Sequence, residues 1–317
     1  MKILVLVNSV AGLKSSQTTT ALLCRAADLG HEVWVVGVSD LELTEPRTVL
    51  ANARPVLAGT LTESFHTSIG PRERREVTSF DVVKIRTNPA RDSRRWAHLF
   101  AMEMLELVEE QGMRVVNRPQ GVRRLGGKPG CMLLPRAIRP RTLITRDPKA
   151  IRRFLQDEGR CVVKPASGTH GRGVFILNPD DANMRAAVEV LAEEGMVVVQ
   201  EWIPEAVDGD VRLFIVNGEM LTAGGRTAAV RRRPANGELR SNVHLGGTPE
   251  PTELSDDLRR IGELAGPVLT RLGVQIAGLD CIGGRVVEIN AYSPGGLADC
   301  EGFYGVDFMG EMLRRLF

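Results

Sequence analysis

The sequence predicts an α/β chain, with an open parallel sheet at its N-terminus and an α+β arrangement in its C-terminal half. Three stretches carry that prediction. Residues 2–8 are an apolar strand, residues 18–29 set Ala21, Leu22, Cys24, Ala26 and Leu29 close to a 3.6 period before Gly30, and residues 32–38 are a second apolar strand. Strand, helix, strand at this spacing is a βαβ unit. Further on, Cys161-Val162-Val163-Lys164 passes through a glycine-rich loop (Gly168, Gly171, Gly173) straight into Val174-Phe175-Ile176-Leu177, the pattern of an antiparallel flap. Residues 274–280 and 285–290 flank Gly283-Gly284 as a second hairpin.

At 317 residues the chain exceeds one core, since single cores rarely grow beyond about 250–300 residues. Hydrophobic content of 43% and charged content of 25% are ordinary for a globular protein, and a net charge of +2 points to neither nucleic acid nor an anionic membrane. No apolar run reaches the roughly 20 residues that span a bilayer, and the apolar start runs into Asn8 and Ser9 instead of a cleavage site. Five scattered cysteines without C-x-x-C, and histidines without metal spacing, argue for a reducing, cytoplasmic setting without disulfides or zinc.

Taken in order, residues 44–79 show little periodicity and read as an irregular excursion. Residues 81–86 restore a strand that ends on Arg86, at the end of an open sheet where ligands gather; Arg86 is therefore a candidate for a substrate carboxylate. Residues 96–110 are an amphipathic helix, 113–117 a further strand, and a first domain closes at 118. The segment 120–141 is basic and rich in glycine and proline, with Lys128 at its middle. Asp147 caps a helix over 148–158 with Pro148 at its first position. The flap, a helix near 181–194 and a strand over 196–201 complete a small domain, 119–200. The last domain, 201–317, holds a hairpin turned by Asn217-Gly218. A polar loop follows over 226–247 with Arg231-Arg232-Arg233 read as a solvated basic run, then a helix over 254–272 capped by Ser255. The acidic hairpin, Ser293-Pro294-Gly295-Gly296 and a short helix close the chain.

In the acidic hairpin, register decides the chemistry. A two-residue turn at Gly283-Gly284 sets Asp280 opposite Val287 and away from Glu288. A three-residue loop including Arg285 sets Asp280 across from Glu288, with Asn290 on the same face and Leu279, Val287 and Ile289 on the apolar side. The second register is preferred. Two carboxylates and an amide oxygen then form a hard oxygen cluster suited to Mg²⁺. Lys164 stands at the mouth of the flap, whose glycines let backbone N–H groups approach an anion.

The order Lys128, Lys164 with its flap, Gln200-Glu201-Trp202-Ile203, then Asp280 and Glu288-x-Asn290 resembles the ATP-grasp ligases. The N-terminal part is similar to bacterial glutathione synthetases in Leu13-Lys14 before a threonine-rich helix start, Gly30-His31-Glu32-Val33, Asp81-Val82-Val83 and Val116-Asn117-Arg118-Pro119-Gln120. The resemblance spans nearly the whole chain. It implies an N-terminal α/β domain followed by a two-subdomain ATP-grasp fold that uses ATP and Mg²⁺, with Mn²⁺ as the alternative ion. It also implies roles: Lys128 and Lys164 on the ATP phosphates under the 168–173 loop, Gln200, Glu201, Trp202 and Ile203 on adenine, and Asp208 on the ribose. Arg212, Arg240 and Asn242 would face the transferred phosphoryl group, and Asp280, Glu288 and Asn290 the metal. Two departures stand out: Leu125-Gly126-Gly127-Lys128-Pro129 replaces the acidic residue and Asn-Glu-Lys usual around the first lysine, and the 231–233 run lies outside the pattern. The segments 238–247 and 293–296 resemble the ligases that add glutamate to a ribosomal protein equally well.

The expected reaction joins a small-molecule carboxylate to an amine through an acyl phosphate, with γ-glutamylcysteine and glycine as the leading pair. Arg86, Ser293, Gly295 and Gly296 are the expected substrate contacts. A peptide or protein carboxylate is the alternative. A nucleic-acid module gripping through the 226–247 arginines is the distant one, because aromatics are only 4% of residues and stacking platforms are scarce. No nucleic acid or membrane partner is expected, and a homo-oligomer is left open.

Overall fold

The computed structural model describes residues 1–166, 173–234 and 247–317. These residues form three main sheets and a two-stranded ribbon. The first sheet contains β1 (Lys2–Val7), β2 (Glu32–Gly37), β3 (Leu41–Thr44), β4 (Thr48–Val56), β5 (Glu73–Glu76), β6 (Val82–Ile85) and β7 (Arg114–Val116). Its order is β3-β4-β2-β1-β6-β7, with β5 also on β4. The strands β2, β1, β6 and β7 run parallel. Buried on both faces, β1 and β2 are almost wholly apolar for that reason. Helices α1 (Thr18–Asp28), α2 (Phe65–Ser68) and α3 (Arg95–Glu110) belong to the same part.

The expectation of an irregular 44–79 is corrected: β3, β4 and β5 pair antiparallel and extend the sheet beyond β2. In β4 the alternation Val49, Ala51, Ala53 faces the core and was overlooked, whereas β3 and β5 are held by charge pairs such as Arg74 with Glu42 and carry little apolar alternation.

The basic stretch after β7 is also more ordered than its composition suggested. It contains α4 (Pro119–Leu125) and short 3-10 helices at Lys128–Leu133 and Arg136–Ile138. The second sheet follows as β8 (Thr142–Thr145), β9 (Cys161–Pro165), β10 (Phe175–Leu177) and β11 (Val197–Glu201), in the order β10-β9-β11-β8. Helices α5 (Pro148–Glu158) and α6 (Met184–Glu194) cover it around a core of its own. Asp147 caps α5 by accepting from the Lys149 amide. The predicted flap is there: β9 and β10 pair antiparallel, Val163 opposite Phe175. Its tip, 167–172 with Gly168 and Gly171, lies outside the described residues.

The third sheet holds β12 (Asp210–Val216), β13 (Glu219–Met220), β16 (Ala229–Arg233), β17 (Thr248–Pro251), β18 (Ile276–Ile282) and β19 (Arg285–Asn290), ordered β17-β16-β12-β18-β19 with β13 on β12. The ribbon is β14 (Thr222–Ala223) with β15 (Arg226–Thr227). Asn217 and Gly218 turn with positive φ, as a primed two-residue turn requires. The 226–247 loop is thus corrected where it is described: Arg231-Arg232-Arg233 is the end of a strand. Helix α7 (Asp256–Arg271), capped by Ser255 through the Leu258 amide, packs one face of this sheet. Helices α8 (Leu297–Tyr304) and α9 (Phe308–Leu316) complete the chain.

The other face of the third sheet shares one core with the first sheet: Val5, Val33 and Val82 cluster with Phe214, Val230 and Ile276, and with α1 and α9. Asn117 pins the same junction. Its Nδ2 donates to the Ile276 and Ala291 carbonyls, each at 2.7 Å, and its Oδ1 accepts from the Ile276 amide at 2.8 Å. Because Asn117 is only 1% exposed, truncation leaves those groups unpaired in the interior. We expect Asn117→Ala to cost about 3 kcal/mol in urea unfolding; an unchanged midpoint would contradict the pinning role.

Candidate active site

The acidic hairpin resolves the register question in an unexpected way. Gly283-Gly284 is a two-residue turn, with Ile282 opposite Arg285 and both glycines at positive φ. A bulge between Asp280 and Cys281 then shifts the ladder, so that Asp280 pairs with Glu288 as expected and Gly278 with Asn290. The three-residue loop is corrected, and the buried partner of Leu279 and Ile289 is Val286 rather than Val287.

Around Asp280 the third sheet lays charged residues side by side. Across its strands, Arg232 pairs with Asp210, and Arg212 pairs with Asp280, which pairs with Glu288. Asp210, Arg232 and Asp280 are each less than 10% exposed. Arg212 forks onto Asp280, Nε to Oδ1 at 2.7 Å and Nη2 to Oδ2 at 2.8 Å. Arg232 forks onto Asp210 and also reaches Asp280 Oδ2 at 2.7 Å. Burial alone would raise the Asp280 carboxyl, but the two guanidiniums overcome it and hold the group well below the usual carboxylate range. Gly278 makes room for this clamp: a Cβ there would lie 3.3 Å from Arg212 Cδ.

Arg232 was the residue sequence reasoning missed. Its run looked like a solvated face, and the carboxylates that bury it come from β12 and β18, distant in sequence. Asp210 was missed with it. The signal available was Asp210-x-Arg212, alternating charges on one face of a strand.

The lysines come to the same cleft. Lys128, in the turn Lys128–Leu133, sets Nζ 3.9 Å from Glu288 Oε2. Lys164 leaves β9 half-buried, and its amine is pushed down to about 8 by burial and then by Lys128, with Glu288 acting the other way. Asn290 donates to Asp280 Oδ2 at 3.2 Å. Among the described residues no group of three or more His, Cys, Asp or Glu could hold a metal. Asp280 Oδ2 is crowded by three donors, whereas Oδ1 accepts only the Arg212 Nε bond among those described. Glu288 is exposed to the cleft. These two oxygen donors fit a divalent ion that takes its remaining ligands from phosphate and water.

Gln200 is buried, its amide donating to Thr142 Oγ1. The Glu201 and Trp202 amides donate to the Arg141 and Arg160 carbonyls, and the Arg160 guanidinium lies 4.5 Å from the Trp202 ring centroid. Ile203 leads into the turn Pro204–Asp208, where the Asp208 carbonyl accepts from Arg231. Arg86 is 5% exposed; it donates to Thr19 Oγ1 on α1 and to the Pro294 carbonyl at 3.2 Å. Arg212 Nη1 donates to the next carbonyl, Gly295, at 3.1 Å. Two arginines from two sheets therefore grip successive carbonyls of the 293–296 loop, and Gly296, at φ +99°, starts α8 from it. Arg240 and Asn242 lie outside the described residues.

The chain is similar to known proteins over its whole length. Residues 1–123 match the N-terminal domain of prokaryotic glutathione synthetase, and residues 130–305 match the ATP-grasp domain of the same enzymes. It is 33% identical to the glutathione synthetase of Synechococcus elongatus, covering 100% of this chain and 98% of that protein. Identity to the enzyme of Neisseria meningitidis serogroup B is 31%, with 97% and 95% covered. Among solved structures, the ATP-grasp ligase PsnB complexed with a minimal precursor superposes with a TM-score of 0.67 at 20% identity, covering 99% and 97%. The D-cycloserine synthetase DcsG does so at 0.65 and 17%, covering 99% and 98%. Matched in both halves by one family and in fold by ATP-grasp enzymes, the chain belongs to the prokaryotic glutathione synthetase family of ATP-dependent carbon–nitrogen ligases.

Proposed function

We propose that the protein joins the cysteinyl carboxylate of γ-glutamylcysteine to the amine of glycine, at the expense of ATP and with Mg²⁺. The observation that carries the site assignment is the cross-strand row Arg232, Asp210, Arg212, Asp280, Glu288 with Lys128 above it. The proposed division is 1–118 as the N-terminal domain, 119–200 as the lid and 201–317 as the floor of the cleft; within it Leu125, Cys131, Leu134 and Ile138 pack into the core of the third sheet, so the part of the lid with a core of its own begins at β8. Among the described residues no helix is long and apolar enough to cross a membrane. All five cysteines are buried and free. A cytoplasmic location fits both.

No nucleophilic side chain is required. The donor carboxylate attacks the γ-phosphorus, ADP leaves, and the glycine amine displaces phosphate from the acyl phosphate. Lys128 and Lys164 hold phosphate oxygens, and Arg212 stabilises the charge that moves to the transferred group. Asp280 Oδ1 and Glu288, with Asn290 beside them, would hold Mg²⁺, which when bound neutralises phosphate charge. With the Glu201 and Trp202 amides committed to the sheet, adenine recognition falls to the carbonyls of this hinge and to Ile203, with Asp208 toward the ribose. Arg86, Ser293, Gly295 and Gly296 would line the donor site.

The assignment predicts ADP release that depends on γ-glutamylcysteine and glycine together. Release equally fast without either would contradict it, and mass addition to a peptide or protein tail would replace the donor with a peptide carboxylate.

Lys164 generates a pH prediction. Its folded value of about 8 means that the amine is charged below that pH and neutral above it. Phosphate favours the charged form, so ATP affinity should be flat up to about pH 8 and then weaken by up to about tenfold per pH unit. Calorimetric titration between pH 7 and 9.5 measures this. Lys164→Arg, which keeps its charge, should flatten the profile; a wild-type profile already flat would contradict the role.

A further inference from the structure

Lys84 lies in the middle of β6, with Val5 and Val116 as its partners on the neighbouring parallel strands. It is 1% exposed and among the largest fully buried side chains of the protein. Alternation along β6 turns it to the face of Val82, into the core shared by the first and third sheets. A strand in the centre of a parallel sheet is normally apolar here. Among the described residues, no carboxylate and no hydrogen-bond partner takes the amine.

Arg86 follows two residues later on the same face. It too is buried, and its donors go to neutral oxygens, Thr19 Oγ1 and the Pro294 carbonyl. Two cations thus share an interior junction beside the 293–296 loop without an acid. Burial, and then Arg86 beside it, pushes the Lys84 amine well below the ordinary lysine value, so its charged form is disfavoured until an anion arrives. Leucine or methionine would fill the same space without that penalty.

We propose that Lys84 and Arg86 form a two-cation receptor for the carboxylate of the acyl donor that is not activated. Arg86 exchanges its neutral acceptors for carboxylate oxygens, and Lys84 behind it supplies the second charge that selects a carboxylate over a neutral group. This rests on the donor reading above, because γ-glutamylcysteine carries a second carboxylate on its glutamyl residue. The two arginines divide the two carboxylates between them: Arg86, at the Pro294 carbonyl, takes the one that is not activated, and Arg212, at the Gly295 carbonyl and on Asp280, stands by the reacting one.

The test uses Lys84→Met, similar in length and uncharged, with Lys84→Arg as the charged control. Initial rates compare γ-glutamylcysteine with the same dipeptide amidated at the glutamyl α-carboxyl. The expected result is that Lys84→Met loses about tenfold of the preference for the carboxylate, with KM for ATP and glycine unchanged. Lys84→Arg should retain the preference. Lys84→Met should also melt higher than the wild type, a result that mere packing loss would not produce. An unchanged preference, or a lower melting temperature, overturns the receptor. Thermal shift with glutarate against its monoamide needs no turnover: a glutarate shift larger in the wild type than in Lys84→Met supports the receptor, and equal shifts overturn it. Wild-type turnover with an unaltered preference therefore defeats this inference alone, whereas absent turnover with a selective glutarate shift defeats only the donor reading.

Discussion

The structure depends on one buried carboxylate held by two guanidiniums. Asp280 would be costly alone in the interior, and without it Arg212 would lose the carboxylate it forks onto while Arg232 would keep only Asp210 among the described residues. Together they lock β12, β16 and β18 into one row, and Arg212 extends that hold to the 293–296 loop. Such an ionic cluster adds little net stability compared with an apolar core of the same volume. In the proposed reaction its value would lie in fixing charge where phosphate charge must later move, so that little reorganisation is needed at the reacting centre.

In the proposed reaction the rest of the fold would present substrates to that row. The first sheet shares its core with the third, and Arg86 and Arg212 hold successive carbonyls of one loop between them. The second sheet has its own core under α5 and α6. In the proposed reaction it would act as a unit that carries Lys164, while the third sheet, which shares its core with the first, stays packed. Rigid floor and separate lid are what a reaction with a water-sensitive acyl phosphate needs.

Much of this was legible in the chain. Asp280 and Glu288 were expected to face each other, but through a loop one residue too long; the glycines marked the flap, and Asp147, Ser255 and Asn217-Gly218 announced caps and a turn that the structure contains. Other features left no local trace. The bulge that sets the Asp280 register follows from no residue type, and the turn beside it looked one residue longer than it is. Strands β3 and β5 lie at an exposed edge where ion pairs replace apolar alternation. Arg232 is buried only because Asp210 and Asp280 come to it from other strands, and Lys84 reads as an ordinary strand charge until both faces of β6 are seen to be covered. Charges whose partners are distant in sequence are invisible to a reading based on spacing.

The central claim is that this row of charges transfers phosphate onto a carboxylate, with no covalent step on the protein. The most direct measurement follows oxygen-18 placed in the cysteinyl carboxylate of γ-glutamylcysteine. The account predicts that label passes to the inorganic phosphate released, in step with ADP formation. Unlabelled phosphate alongside full product formation would contradict an acyl phosphate, and with it the role assigned to the clamp.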